Sequence, residues 1–401
     1  MTTKPNSPVK LSMVCGLWRK VVVTTPSLWS DVSVVLPSST LRGTKLFMDR
    51  SESAPIMLRL DYPPEETTED DGVQAELTDL LVSHSNRWKT LDIGITLTGS
   101  RHPSFRAIQG RLDKLTNLRL ISLDAQFDSF EETFLRAFEN APSLHTVELV
   151  DITAYADFIL PWHKLETIRL LECDLQRMPE ILRRCSNARC VELDRSHRLS
   201  SEPSSTARLP NVTVLSAELF DSEDMSGLFR HLEIPNIESL EIHNKGNRSK
   251  QAPWDISPVQ AALGRSSSTL TLLCMKNIPI NDWDMISFLQ SVPNLEGLSI
   301  WGFNPSSVSE LPENMIVTPN FITQLSLHDA DVHQCISNSS QGVFLPRLTA
   351  LTLHVHVNGL DQKALAKSVI SRCPAVPNDL EVTAGTKPEM LADTCILSKW
   401  W

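Results

Sequence analysis

A short hydrophobic pattern recurs along most of this chain. It has the form apolar-x-x-apolar-x-apolar, as in SLHTVELVD from residue 143 and NIESLEIHN from residue 236. Alternation of apolar and polar residues predicts a β-strand with one buried face. The copies start at eleven positions that are 21 to 33 residues apart. These positions are Trp88, Leu118, Leu144, Leu165, Ala188, Val212, Ile237, Leu270, Leu295, Ile322 and Leu348.

The segments between these strands follow a different period. Apolar residues recur there every three or four residues, for example at Phe130, Phe134 and Phe138, and again at Met178 and Ile181. This spacing predicts amphipathic helices with one buried face. Strands and helices that alternate with a mean repeat of about 26 residues are typical of leucine-rich repeats.

We therefore predict an α/β fold, a leucine-rich-repeat solenoid with parallel strands on its concave face and helices on its convex face. The solenoid is predicted over residues 37–401, with clear repeats over 88–357, and a short helical cap over 1–36. A cap keeps the apolar end of a solenoid out of water. It is predicted as one helix from apolar residues at helical spacing, which are Leu11, Val14, Cys15, Trp18 and Val22.

Three N-terminal segments also carry family motifs. They are SMVCGLWRKVVVTTPSLWSDVSV (12–34), LFMDRSESAPIMLRL (46–60) and LLVSHSNRWKTLDI (80–93). The first resembles the end of the F-box-like domain of fungal F-box leucine-rich-repeat proteins, and the other two resemble the units that follow it. The matching residues are Val14, Cys15, Trp18, Arg19, Thr25, Pro26, Leu28, Trp29, Ser85, Arg87 and Trp88.

This resemblance implies a function. F-box proteins bind a Skp adaptor, and through it the cullin of an SCF ubiquitin ligase, and they present a substrate for ubiquitin transfer. A full F-box starts with a leucine-proline-x-glutamate segment and two further helices, whereas this chain starts at what would be the third helix. We expect either that upstream sequence is missing or that adaptor binding is lost. The resemblance assigns adaptor contacts to Leu11, Val14, Trp18, Arg19, Pro26, Leu28 and Trp29.

The outward positions of the predicted strands supply candidate substrate contacts. In the copy that starts at Leu118, the pattern places Ser122 and Asp124 on this face. Five of the candidates carry a carboxylate, and only one, Arg169, is an arginine. This negative charge favours binding of a basic segment of a partner protein, with Trp301 as an aromatic anchor. A solvated charged face without a partner is the alternative. The candidates are Glu148, Arg169, Glu192, Asp194, Glu218, Glu241, His243, Trp301, His328 and His354.

Composition narrows the function classes. The chain has 401 residues and a net charge of −11, which argues against broad nucleic-acid binding. It has no apolar run of about 18 residues, and MTTKPNSPVK lacks a signal-peptide core. We therefore predict no membrane partner and a cytoplasmic or nuclear location. Eight cysteines without a CxxC pair predict reduced, mostly buried thiols.

Motifs for chemistry are missing from the sequence. It contains no GxSxG, HExxH or GxxxxGK[ST] motif, and LGRSSST from residue 263 lacks the lysine of a phosphate loop. His354 and His356 share a strand face, but a zinc site needs more ligands. Residues 243–254, which include Lys245, lengthen one repeat and are predicted to form an inserted loop. We predict no enzyme activity, metal or cofactor.

The sequence thus predicts a non-catalytic protein-recognition module. The leading hypothesis is an F-box-type substrate receptor of an SCF ubiquitin ligase that binds its substrate through the concave face. One alternative is a leucine-rich-repeat scaffold without Skp adaptor binding or any ubiquitin role. Another is a repeat-based enzyme, or a regulator of one, that uses the acidic face.

Overall fold

The chain divides into two compact units, Met1–Ala188 and Arg189–Trp401. In both units, parallel strands alternate with helices or tight turns, which confirms the predicted α/β repeat. The computed structural model describes residues 8–35, 40–61, 71–123, 130–152, 155–172, 178–194, 206–246, 253–264, 269–302, 316–326, 344–354, 363, 365, 368 and 371.

Six parallel strands of the first unit lie side by side in chain order. Buried and outward side chains alternate along them, so Val147 and Leu149 are buried while Glu148 faces outward. The first strand lies inside the range predicted for the cap. The strands are β1 (Asp31–Val35), β2 (Ile56–Asp61), β3 (Trp88–Ile95), β4 (Asn117–Ser122), β5 (Thr146–Val150) and β6 (Thr167–Leu171).

The helices of the first unit bury apolar residues, except that the first two bury only Val22 between them. They are α1 (Pro8–Ser12), α2 (Gly16–Val23), α3 (Leu41–Arg50), α4 (Asp71–Ser83), α5 (Leu97–Ser100), α6 (Glu132–Leu135) and α7 (Met178–Arg184). The helix predicted from Phe130 to Phe138 is shorter than expected, because only α6 is helical there. Its phenylalanines still build the core: the Phe134 ring lies 4.9 Å from that of Phe105 and 5.9 Å from those of Phe138 and Phe158.

The second unit repeats this plan. Its strands are β7 (Cys190–Asp194), β8 (Ala207–Arg208), β9 (Val214–Leu219), β10 (Leu232–Glu233), β11 (Ser239–Asn244), β12 (Leu272–Lys276), β13 (Gly297–Trp301) and β14 (Ala350–His354). The short strands β8 and β10 pair with each other, and the remaining six form parallel neighbours in chain order. Its helices are α8 (Ser222–Arg230), α9 (Ser257–Gly264), α10 (Asp282–Gln290) and α11 (Pro319–Leu325).

The strand predicted to start at Ile322 is wrong, because this segment forms helix α11. Thr318 caps the helix by accepting a hydrogen bond from the backbone N–H of Phe321 at 3.2 Å, and Pro319 occupies the first helical position. Threonine followed by proline is a common helix start. Strand β13 consequently pairs directly with β14.

The register predicted for β4 is also wrong. Leu118 pairs with Leu91 of β3, so it takes the middle apolar position of the pattern and not the first. Arg119 therefore faces outward, whereas Ser122 is buried and Asp124 lies outside the described residues. The segment LTNLRLISL (115–123) satisfies the apolar pattern from Leu115 or from Leu118, and pairing with the neighbouring strands selects the first register.

A left-handed turn follows three of the strands. The backbone φ angles of Asp151, Glu172 and Asn277 are 53°, 55° and 56°. The N–H of Asp151 donates to Leu171 at 2.9 Å, and that of Asn277 donates to Trp301 at 2.7 Å. Asp and Asn tolerate this conformation better than most residues. The turn thus adds one bond to the next strand before the chain leaves the sheet.

Candidate protein-interaction surfaces

The first candidate surface lies on α2 and on the turn before it. Its large apolar side chains have 49 to 71% of their area exposed, although apolar side chains are usually buried. Such a concentration is typical of an interaction site. We define the N-terminal patch as Met13, Val14, Leu17, Trp18 and Val21. The sequence analysis identified Val14 and Trp18 but not the other three members.

Trp29 anchors this patch to the rest of the first unit. Its indole N–H donates to the carbonyl of Val22 at 2.8 Å, and both side chains are buried. The Trp29 ring meets Phe47 of α3 edge-on at 5.2 Å, and the Arg50 guanidinium lies 4.4 Å from its centroid. Because Trp29 is fully buried, it has no surface with which to contact an adaptor directly.

The predicted single cap helix is two helices. Cys15 is extended, with φ −160°, and precedes the first residue of α2, so the chain is not helical between Ser12 and Gly16. Leu11 therefore does not share a helix with Trp18. The Arg19 side chain donates from Nε to the carbonyl of Ser12 at 3.0 Å and joins the two helices.

The other predicted adaptor contacts differ in exposure. Leu11 and Pro26 are half-buried, whereas Arg19 and Leu28 are exposed. Only part of the predicted set is therefore accessible to a partner.

The second candidate surface runs across the outward face of the first unit. We define the arginine row as Arg59, Asp92, Arg119, Glu148 and Arg169, which lie opposite one another on β2 to β6. Asp92 accepts from Arg59 Nε at 2.9 Å and from Arg119 Nη1 at 3.4 Å. Glu148 accepts from Arg119 Nε at 2.6 Å and from Arg169 Nη1 at 3.5 Å.

The arginine row changes the predicted charge of this face. Glu148 was expected in an acidic cluster, but it lies between Arg119 and Arg169. Sequence analysis missed two of the arginines, because β2 was not counted as a repeat and β4 was set in the wrong register. The alternating leucine-arginine-leucine of both strands, at Arg59 and Arg119, was the available signal.

The third candidate surface lies on the second unit. We define the acidic row as Asp194, Glu218, His243, Lys276 and Trp301, which are paired in this order along β7, β9, β11, β12 and β13. A parallel row one pleat away contains Glu192 and Glu241. The backbone of His354 in β14 pairs with Trp301, and His328 lies outside the described residues.

Lys245 offsets part of this acidity. It directly follows β11, and its ammonium contacts Asp194 and also Glu218 Oε2, the latter at 2.6 Å. His243 Nδ1 lies 3.3 Å from Glu218 Oε1. Burial raises the pKa of Glu218, but hydrogen bonds from Lys245 and His243 outweigh it and hold that pKa below its usual range. Lys245, which was expected in an inserted loop, thus belongs to the third candidate surface.

Trp301 is held in place by polar neighbours. Its indole N–H donates to Ser299 Oγ at 2.9 Å, and Lys276 Nζ lies 5.6 Å from the ring centroid. Lys276 also bonds to Glu241, and this bond raises the pKa of the lysine. The ring remains partly exposed, as expected for an aromatic anchor. Four carboxylates and two lysines leave this face acidic, in agreement with the charge predicted for it.

Three further expectations concern metals, membranes and thiols. Within the described residues, no group of three His, Cys, Asp or Glu side chains could hold a metal ion. His356 lies outside them. None of the helices in these ranges has the length and apolar character needed to cross a membrane. The four described cysteines are free thiols: Cys185 is buried, Cys190 and Cys274 are half-buried, and Cys15 is exposed.

Neither a protein-family model nor a curated protein sequence matches this chain. Among solved structures, the chain is similar to the crystal structure of an internalin from Listeria monocytogenes. The two are 14% identical over 86% of each chain, with a TM-score of 0.34. Strand order, register and burial define the fold of this chain.

Proposed function

We propose that this protein is a non-catalytic protein-recognition module, and specifically an F-box-type substrate receptor of an SCF ubiquitin ligase. The N-terminal patch would contact the Skp adaptor, which links the receptor to the cullin inside the cell. The outward strand faces would bind the substrate. The observation that carries the proposal is the exposed apolar N-terminal patch, because its burial by a partner would remove apolar surface from water.

Such a receptor acts by proximity and needs no chemistry of its own. It holds a substrate lysine near a ubiquitin-loaded enzyme. The backbone of hydrogen-bonded parallel strands is ordered before a partner arrives, which lowers the entropic cost of binding. The acidic row, which includes Trp301, favours a basic segment of the substrate. The carboxylate of Glu218 in the row and those of Glu192 and Glu241 beside it supply the attraction.

A pull-down with a recombinant Skp adaptor tests this proposal. Truncating Trp18 to alanine removes an exposed aromatic ring from the N-terminal patch, and we expect adaptor binding to fall at least about tenfold. The control is Trp283→Ala, which removes an exposed tryptophan from α10 in the second unit. That variant should bind the adaptor as the wild-type chain does. Equal loss in both variants would contradict the assignment of the patch.

The burial of Trp29 supports one alternative. Since Trp29, and in part Leu11 and Pro26, are not accessible, the predicted adaptor surface is smaller than the resemblance implies. A scaffold that binds proteins through its strand faces, without an adaptor, is the second candidate function. If the wild-type chain does not bind the adaptor, this second function replaces the first.

A further inference from the structure

We infer that the arginine row of the first unit is a docking site for an acidic peptide segment of a partner protein. The row contains three arginines and two carboxylates, so its own net charge is +1, although the whole chain carries −11 and the carboxylate of Asp61, two residues after Arg59 on β2, lies close enough to attract Arg59 and Arg119. This site shares no residue with the acidic row or with the N-terminal patch. It does not depend on adaptor binding.

Exposure decides which charge a partner meets. The side chains of Asp92 and Glu148 are only 12% and 16% exposed, whereas those of Arg59, Arg119 and Arg169 are 55%, 39% and 39% exposed. Each carboxylate lies between two arginines and is covered by them. An approaching segment therefore contacts guanidinium groups first, which attract carboxylates and repel ammonium groups.

Arg59 and Arg119 also retain hydrogen-bonding capacity. A guanidinium has five N–H donors. Within the part of the chain that the structure describes, Arg59 uses only Nε, and Arg119 uses Nε and Nη1. The Nη groups of Arg59 and the Nη2 of Arg119 can thus donate to a partner. Bidentate bonds to a carboxylate are the strongest that arginine makes.

The spacing of the row suits a chain laid across the strands. Neighbouring strands are about 4.8 Å apart, so guanidinium groups on every second strand recur at about 10 Å. Beside the row, Ile121, Val150 and Leu171 form an aliphatic row on β4, β5 and β6. These three side chains are half-buried and offer apolar contact to the same segment.

The probe for this site is a fluorescein-labelled synthetic peptide that repeats glutamate-leucine-glutamate-serine. Fluorescence anisotropy of the full chain should show saturable binding that weakens as salt is added. The double variant Arg59→Gln/Arg169→Gln leaves Arg119 between the two carboxylates and removes the outer cations. We expect it to lower affinity for the probe at least about tenfold.

A gain of affinity provides an independent check. Glu148→Gln removes one negative charge from the row and keeps an oxygen that accepts from Arg119. We expect it to bind the acidic probe about threefold more tightly, a result that misfolding would not produce. The matched controls carry the same charge changes on the α6 side of the unit: Arg101→Gln/Arg136→Gln, whose arginines form exposed ion pairs with Glu131 and Glu132 at 3.4 and 3.0 Å, and Glu132→Gln. Both should bind as the wild-type chain does.

Two results would overturn the inference: no binding of the acidic probe by the wild-type chain, or equal affinity in the row variants and the controls. A second peptide, repeating lysine-leucine-lysine-serine, tests the acidic row of the second unit under the proposed function. Its binding should be unchanged in Arg59→Gln/Arg169→Gln. If only the acidic probe fails to bind, the inference about the arginine row is rejected. If the basic probe or the adaptor fails to bind, only the proposed function is contradicted.

Discussion

At the scale of single residues, a residue of the F-box-like motifs can stabilise the fold and have no contact with a partner. Arg87, part of the F-box-like resemblance, is buried in the first unit. Its guanidinium donates to Ala54 O at 3.1 and 3.2 Å and to Ser51 Oγ at 2.6 Å, just beyond the end of α3. Helix C-termini carry partial negative charge, which suits a cation. Arg87 therefore ties α3 to the start of β2.

The ion pairs of the acidic row predict a pH dependence of stability. The pKa of Glu218 is lowered in the folded state, so its stabilising effect is present above its ordinary value of 4.5 and is lost as pH falls through the folded value. We expect the fall in melting temperature between pH 5 and 3 to be smaller for Glu218→Gln than for the wild-type chain. Circular dichroism at several pH values measures it.

The control is Glu238→Gln, because Glu238 is exposed. This variant should follow the wild-type pH profile. If Glu218→Gln follows the wild-type profile as well, the contacts of Lys245 with Glu218 do not contribute to stability.

At the scale of elements, side-chain caps fix where the helices of the second unit begin. Asn281 accepts from Asp284 N at 2.8 Å and donates to its carboxylate at 2.7 Å, which is a reciprocal cap on α10. Asp282 of the same helix accepts from Thr318 and Asn320 at 2.7 and 3.2 Å, and so holds the start of α11. The starts of α10 and α11 are thus joined by the hydrogen bonds of Asp282.

We expect Asn281→Ala to lower the free energy of unfolding by about 1 kcal/mol, because the first N–H groups of α10 lose their cap. Trp283→Ala, two residues further along, should change it by less than about 0.5 kcal/mol, since that side chain is exposed. Urea unfolding followed by circular dichroism measures both. A similar loss in the two variants would mean that the cap is not the cause.

At the scale of the whole molecule, each repeat is stabilised by its neighbours. Interior strands have a paired strand on both sides, whereas α1 and α2 expose most of their apolar residues and bury only Val22. We expect amide hydrogen exchange to be slowest in β3 to β5 and in β11 and β12, and fastest in α1 and α2. Mass spectrometry of peptic fragments measures this order.

Adaptor binding should slow exchange in α1 and α2 and leave the interior strands unchanged. Strong protection of these helices in the free chain would contradict the exposed state of the N-terminal patch. That outcome would mean that another part of the protein covers it.

The repeat itself could be predicted from the sequence, because alternation at period two and helical spacing each require a buried face. The apolar spacing of strands such as β5 and β11 admits one register, and their outward residues were predicted correctly. Net charge, the scarcity of motifs for chemistry and the outward position of Trp301 also followed from sequence alone. These features depend only on the composition of the chain and on the order of neighbouring residues in it.

Tertiary structure decided the features that depend on neighbours. The segment LTNLRLISL accepts two registers, and pairing with β3 and β5 placed Arg119 outward. Ile322 satisfied the strand pattern, but the segment is a helix whose start is bonded to Asp282 of α10, 36 residues before Thr318. Lys245 reached Asp194, which is 51 residues away in sequence. The charge of each outward face is a sum over strands that meet only in the folded chain, so sequence order alone does not determine it.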